Sequence, residues 1–410
     1  MGMIKRGRTK KSQAYSLIAI LLAIPIFIFI TQYMISSQTT RTDIAEKIIA
    51  DQIVQLESSI EDDISKALDI CGKRALLTAV DYITINGFYL DNSTFRLKEL
   101  MENGKINDTE SRLMVNNTLP DWENSILKTP TNFFVKLNHT HIEIKNHNGF
   151  ELNVSVFANI TVSDRLDTAR IKKENLLKEV KIPIEGVEDP VYTLNSEGFV
   201  RRTVMKSPYP YTAIILVNGT SSKGFCEGPV TFNRSNPNPD EILVINDASG
   251  ISGFKGVVGE TNNVPSDNVD CYVIGADNAV DIINNSVNAV GYYEIYIDNS
   301  TSCPLAVWHL PINLDIENGY YRSGDGPNFL MRLEGNLSNS TDGFGIESFV
   351  NIEELRSQGI EICDDCSVVD YLYFTKSNIN TCNVRGLPDW FRIDGYHAAK
   401  YNLTELLYNC

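Results

Sequence analysis

From Ser12 to Thr40 this 410-residue chain carries no charged side chain, and that run limits its folding more than any other feature. Its centre, Ala14 to Ile30, is almost all Leu, Ile, Ala and Phe around a single Pro25. A helix of about 20 apolar residues matches the hydrocarbon thickness of a bilayer. A cleavable signal peptide has a shorter apolar core followed by small residues. Here the run continues through Tyr33, Met34 and Ile35 into Ser36-Ser37-Gln38-Thr39, a poor cleavage site. A transmembrane helix over 13–37 is therefore expected, with Pro25 as a tolerable kink. Lys5, Arg6, Arg8, Lys10 and Lys11 precede it, and such cations stay in the cytoplasm. The expected topology is single-pass. Residues 1–12 form a basic cytoplasmic segment, and the bulk of the chain is extracellular on the cell membrane.

Charge points the same way. Removing those five cations from the 36 basic residues leaves 31 against 52 acids. A body so acidic repels phosphate backbones and anionic lipid heads, so nucleic acid is excluded as a partner. Thirteen Asn-x-Ser/Thr acceptors follow the apolar run, where roughly five would arise by chance. They are Asn92, Asn107, Asn116, Asn138, Asn153, Asn159, Asn218, Asn233, Asn284, Asn299, Asn336, Asn339 and Asn402. The eight cysteines also lie beyond it. Outside the cytoplasm, Cys226, Cys271, Cys303, Cys363, Cys366, Cys382 and Cys410 are disulfide candidates, with pairing left open. Cys71 falls in a helical apolar stripe and reads as a buried thiol.

That stripe is Ile49, Ile53, Leu56, Ile60, Ile64 and Leu68, at helical spacing. It predicts an amphipathic stalk helix over 38–85, with Glu57 on its exposed side and Gly87 ending it. Helices are expected near 93–104 and 120–128. The period then changes to two. Val135, Leu137, His139 and His141 alternate, and after Asn148-Gly149 so do Leu152 to Val162, which predicts an antiparallel hairpin. Residues 86–185 read as a small α+β domain and 186–410 as a mainly β domain. In the latter, strands are expected at Thr212–Val217, Glu241–Ile245, Cys271–Ile274, Tyr292–Ile297, Cys303–Leu310 and Tyr371–Phe374. A helix should start after Asn351 and stop at Gly359, and another should cover 396–408. The fold class is α+β.

No catalytic motif for nucleophilic, zinc-peptidase, phosphate-loop or dinucleotide chemistry is present, so no catalytic residue, metal ligand or cofactor is assigned. His139, His141 and His147 lack a fixed third ligand and read as polar strand-face residues. Cys363-Asp364-Asp365-Cys366 has redox or zinc spacing, but disulfides within 361–410 are favoured outside a cell. Asp267, Asp270, Asp277 and Asp325 sit in turn-like segments without a calcium-loop pattern.

Lys10-Lys11-Ser12-Gln13-Ala14-Tyr15-Ser16-Leu17, a basic pair and a small residue before an apolar helix, resembles the start of an archaeal type IV pilin-like precursor. The resemblance covers about the first 40 residues and implies cleavage between Ser12 and Gln13. At the fifth mature position, where many pilins carry an acid, Leu17 stands instead. Gly326 to Gly335 and Gly345 to Val350 are similar to segments of uncharacterised archaeal membrane-anchored surface proteins. The function expected is a non-enzymatic, membrane-anchored cell-surface glycoprotein, a pilin-like or envelope structural subunit. Its partners would be membrane lipid and other pilin-like subunits. The rival readings are a binding module, such as an adhesin or sensor ectodomain, and an extracellular hydrolase.

Overall fold

The computed structural model describes residues 9–128, 132–209, 214–290, 294–297, 305–308, 311–377, 379–384 and 387–410. It is mixed α+β, with an apolar N-terminal helix and a β-rich C-terminal part. Helix α1 runs unbroken from Thr9 to Asn86. It passes through Pro25 and ends where Gly87 turns to φ +73° and returns its N–H to the Ile83 carbonyl at 2.8 Å. Glycine adopts that left-handed conformation without a Cβ clash. Among the described residues, one segment is long and apolar enough to cross a membrane, Leu21–Gln38 with mean hydropathy 1.5. Its large apolar side chains from Leu21 to Ile35 are uncovered on every side.

The contacts divide the chain into two compact units. The first comprises residues up to Cys71, Asn116–Glu143 and Ser155–Val180. Within it, Ile53, Ile60, Ile64 and Leu68 of α1 are buried, as their spacing predicts. Helix α3 (Leu119–Lys128) opens on a reciprocal cap, with Thr118 accepting from the Asp121 N–H and donating its own N–H to the Asp121 carboxylate. Ile64 and Ala67 line an apolar cavity of about 20 Å³ together with Leu119, Trp122, Leu137 and Val156. The helical stripe thus packs beside α3 and the sheet strands.

One expectation is corrected here. Glu57 is buried, 5% exposed. It lies four residues after Ile53 and three before Ile60, hence on the same helical face. Lys173 reaches both Glu57 and Glu61 at 2.5 Å, and Lys178 reaches Glu61 at 2.6 Å. Burial and the neighbouring Glu61 push the Glu57 carboxyl up, while hydrogen bonds from Glu57 and the two lysines hold Glu61 down at about 2.

The expected hairpin is β1 (Phe133–Asn148) and β2 (Glu151–Asp164), and β3 (Arg170–Pro183) adds to it in the order β1-β2-β3. A two-residue connection between β1 and β2 requires antiparallel neighbours. Along β1 the buried positions shift from Leu137 to Ile142 and Ile144; His141 is exposed, and the half-buried His139 lines the apolar cavity with Leu137. The turn end of the hairpin, 144–154, groups with the second unit.

That second unit also takes Gly72–Val115 and Lys181–Cys410. Helix α2 (Ser93–Asn103) lies between its Asn92 cap and the left-handed Gly104. Helix α4 (Pro190–Asn195) is capped by Asp189. An eight-stranded sheet follows, built from β4 (Ile214–Val217), β5 (Ser221–Lys223), β6 (Cys226–Thr231), β7 (Ile242–Ile245), β8 (Gly256–Gly259), β9 (Cys271–Ile274), β10 (Glu294–Ile297) and β11 (Leu305–Trp308). Its order is β4-β11-β10-β6-β7-β8-β9-β5. Strands β6 to β9 run parallel and the others antiparallel. Parallel strands buried on both faces read as short apolar runs, and β7, β8 and β9 are nearly all buried. The Gly-Val-Val-Gly strand β8 was not expected from sequence. Gly256 is needed there, because a Cβ would sit 2.6 Å from the Cys271 sulfur.

Small elements complete this unit. They are α5 (Ala279–Val290), α6 (Pro311–Asn318), β12 (Arg322–Gly324), α7 (Phe329–Leu333), β13 (Gly345–Glu347), α8 (Ile352–Ser357), α9 (Asp370–Phe374), β14 (Thr381–Val384), β15 (Arg392–Asp394), α10 (Gly395–Lys400) and β16 (Leu407–Tyr408). Asn351 caps α8 as expected, accepting from Glu353 and Glu354 N–H groups, with Gly359 beyond its end at φ +74°. Tyr371–Phe374 is a helical turn rather than a strand. Tertiary hydrogen bonds override the strand preference of that aromatic run: Asp370 accepts from Arg332, Tyr373 accepts from the Cys363 N–H, and the Tyr371 hydroxyl pairs with His397. The stretch 396–408 is α-helical only to Lys400, a 3₁₀ turn follows at Thr404–Leu406, and Leu407–Tyr408 pairs with β14.

Candidate functional site

The densest polar chemistry lies in the interior of the second unit. Arg332 projects from α7, whose Asn328 cap accepts from the Met331 N–H. Its guanidinium is fully buried. It donates to Asp189 at 2.6 Å, to Asp370 at 2.8 Å and to the Ile346 carbonyl at 2.8 Å, and it lies over the Tyr321 ring. The Tyr321 hydroxyl donates to Asp189 at 2.8 Å. Ser348 gives both its N–H and its hydroxyl to Asp370, and the Ser348 hydroxyl also meets Tyr192. Burial opposes the charge on Arg332, but Asp370 and Asp189 outweigh it and push its pKa up. Burial pushes the Asp370 carboxyl up, with Arg332 opposing.

One residue along β13, Glu347 faces a second cluster. It accepts from Lys400 at 2.8 Å and from the Tyr401 hydroxyl, and His397 Nε2 lies 3.7 Å away. His397 Nδ1 sits 2.7 Å from Asp394, and the Tyr371 hydroxyl is 3.1 Å from Nε2. Asp394 caps α10 through the Tyr396 and His397 N–H groups. Burial alone would lower the pKa of His397. Asp394 and Glu347 outweigh it and lift it to about 9. The imidazolium form therefore prevails at neutral pH, with both ring N–H groups donating. Close backbone approach makes room for the cluster. A Cβ on Gly345 would meet the Gly326 carbonyl at 2.0 Å, and one on Gly324 would meet Glu347 at 2.0 Å.

The two clusters form one network, since Ile346, Glu347 and Ser348 are consecutive and so are Asp370 and Tyr371. Arg332, Glu347, Asp370 and His397 are each 2% exposed or less. Such a set fixes the relative positions of α7, β13, α9 and α10, because each charge needs its partners to stay buried. Sequence reading assigned no role to Arg332, Asp189, Asp370, Glu347, Asp394 or His397. A signal was available: Arg332 interrupts Phe329-Leu330-Met331 and Leu333, Glu347 follows Ile346, and Asp370 separates Val369 from Tyr371. Isolated charges inside apolar runs mark buried pairs.

Three disulfides are present among the described residues: Cys226–Cys271, Cys363–Cys366 and Cys382–Cys410. Cys303 lies outside those residues. Cys71 is fully buried. Cys363 and Cys366 line a surface groove with Lys376, Ser377, Thr381 and Arg392. The loop between them is held by the Cys363 N–H on the Tyr373 hydroxyl at 3.0 Å and by the Thr381 hydroxyl on the Asp365 carbonyl at 2.8 Å.

The glycan acceptors Asn92, Asn107, Asn116, Asn138, Asn218, Asn233, Asn284, Asn336, Asn339 and Asn402 are exposed, and Asn153 and Asn159 are half-buried. Asn299 lies outside the described residues. The histidines do not converge. The His139 N–H donates to Glu123, and its ring nitrogen lies 2.8 Å from the same oxygen, while His141 packs on Phe157. Among the described residues, no group of three or more His, Cys, Asp or Glu side chains is arranged to hold a metal ion. Asp325 accepts from the Tyr396 hydroxyl. In comparisons with known proteins, the chain matches no family model, no curated protein and no solved structure.

Proposed function

We propose that this chain is a non-enzymatic, membrane-anchored surface glycoprotein with its body outside the cytoplasm. The observation that carries this reading is the helical segment Leu21–Gln38, apolar on every side and left uncovered by the described residues. A helix apolar all round needs an apolar surrounding, and the bilayer supplies one. Exposed acceptor asparagines, disulfides and an acidic body support an outside location. In this reading the amphipathic part of α1 is a stalk, and cleavage between Ser12 and Gln13 lets the helix enter a pilin-like assembly. The test uses cells that carry the protein. Alkaline extraction should leave it in the membrane, and added protease should degrade residues beyond 40. Full protection of the deglycosylated body in sealed cells overturns the topology. N-terminal sequencing that finds Met1 or Gly2 instead of Gln13 removes the pilin-like part.

The binding-module alternative rests on a surface groove whose lining includes Tyr89, Asn195, Leu337 and Phe374. Aromatic faces beside amides suit neutral polar ligands. Thermal shifts with neutral oligosaccharides would favour that reading, and flat melting curves would count against it.

A further inference from the structure

We infer that Cys363–Cys366 is an exchange-active disulfide that reacts with dithiols, independently of how the chain is anchored. Three observations converge on it. First, the two cysteines are only three residues apart, against 28 for Cys382–Cys410 and 45 for Cys226–Cys271. A cross-link that closes so short a loop removes the least entropy from the unfolded chain, so stability accounts for it least. Second, access is asymmetric: Cys363 is half-buried and Cys366 is 5% exposed. Exchange proceeds by thiolate attack on the reachable sulfur, and exposed disulfides are the labile ones. Third, both cysteines line an open groove together with Lys376, which lies 3.5 Å from Glu361, and Arg392, which donates to Thr381 and Asn383. Cations near a departing sulfur favour its thiolate form.

The step balances with a dithiol as reductant. Its thiolate attacks Cys363 Sγ, the Cys363–Cys366 bond breaks, and the electron pair leaves on Cys366 Sγ, which takes up a proton. The second thiol of the reductant then attacks the mixed disulfide and expels Cys363 as thiolate, which is protonated in turn. The products are a cyclic disulfide and a reduced Cys363/Cys366 pair. Run backwards, the same steps oxidise the pair and reduce a partner disulfide. The loop is tied at both ends, through the Cys363 N–H and the Asp365 carbonyl, so the pair can open and close without the surrounding fold moving.

The experiment titrates the purified full-length chain in detergent with dithiothreitol, alkylates it, and maps each cysteine by mass spectrometry. Cys382–Cys410 is a stringent control because Cys410 lines the same groove. Cys363–Cys366 should open at about tenfold less reductant than Cys382–Cys410, with the circular-dichroism melting curve unchanged. In Cys366→Ser, treatment with oxidised glutathione should leave a glutathione adduct on Cys363. In Cys363→Ser, the buried Cys366 should react at least about tenfold more slowly. The inference is overturned if Cys363–Cys366 opens no earlier than Cys382–Cys410, if opening it unfolds the protein, or if Cys366→Ser remains folded and captures no glutathione.

Discussion

At the scale of single residues, the buried charges decide most. Arg332 neutralises part of two carboxylates, Asp189 and Asp370, in a site without solvent. Arg332→Met should cost about 3–5 kcal/mol, because it leaves both carboxylates buried without their cation. Asp370 is already pushed up by burial, so this variant should regain stability as pH falls and Asp370 protonates. Chemical denaturation at neutral and mildly acidic pH measures both effects, and an equal loss at both would contradict the argument. His397 gives the opposite sign. Its folded-state pKa of about 9 exceeds the ordinary 6.5, so its contribution is complete below 6.5 and disappears as pH rises through 9. The shift corresponds to on the order of 3 kcal/mol. His397→Gln should therefore lower stability at pH 6 and flatten the decline between pH 6.5 and 9, which melting temperatures across that range would record. Glu57 teaches a related point. Its spacing put it on the buried face, yet its charge argued for water, and pairing with Lys173 resolved the conflict.

At the scale of elements, helix α1 carries the clearest periodic signal. Its apolar stripe is legible because 3.6-residue periodicity survives in any packing arrangement. Ile60 is 3% exposed. Ile60→Asp should destabilise the first unit by about 3 kcal/mol or more, since it removes apolar contacts and buries a carboxylate with no assigned partner. Limited proteolysis should then cut within 155–180, and an unchanged digestion pattern would mean that the stripe is not a packing face. Glu57→Lys should also destabilise, by about 2 kcal/mol, because it sets a third ammonium beside Lys173 and Lys178. Glu57→Gln, which keeps a hydrogen-bonding group without the charge, should cost clearly less in the same denaturation assay. The short C-terminal elements were less legible. Tyr371–Phe374 has the composition of a strand and forms a helical turn, because Asp370, Tyr371 and Tyr373 each reach a distant partner from that geometry.

For the whole molecule, the uncovered apolar segment predicts behaviour in solution. If the bilayer covers that segment as proposed, the full-length chain should need detergent and the chain without residues 1–38 should be monodisperse in buffer, as read by size-exclusion chromatography. Aggregation of the shortened chain with its fold intact would show that another apolar surface governs solubility. The acidic body should not bind anionic vesicles at low salt, which flotation would test.

Properties written along one stretch of chain could be determined from the sequence alone: the apolar N-terminal run, the helical stripe, the Asn351 and Gly87 boundaries, and the alternation of the hairpin. Each depends on a local period or a local hydrogen bond, so neighbours in sequence suffice to state it. The parallel order of β6 to β9 depends instead on pairings between strands more than ten residues apart. The joining of Asp189, Arg332, Glu347, Asp370 and His397 spans more than two hundred residues; isolated charges in apolar runs mark the burial of some of them, but which groups pair has no local signature. Only tertiary packing could decide them, because the partner that makes a buried charge tolerable is chosen by the fold rather than by the adjacent residues.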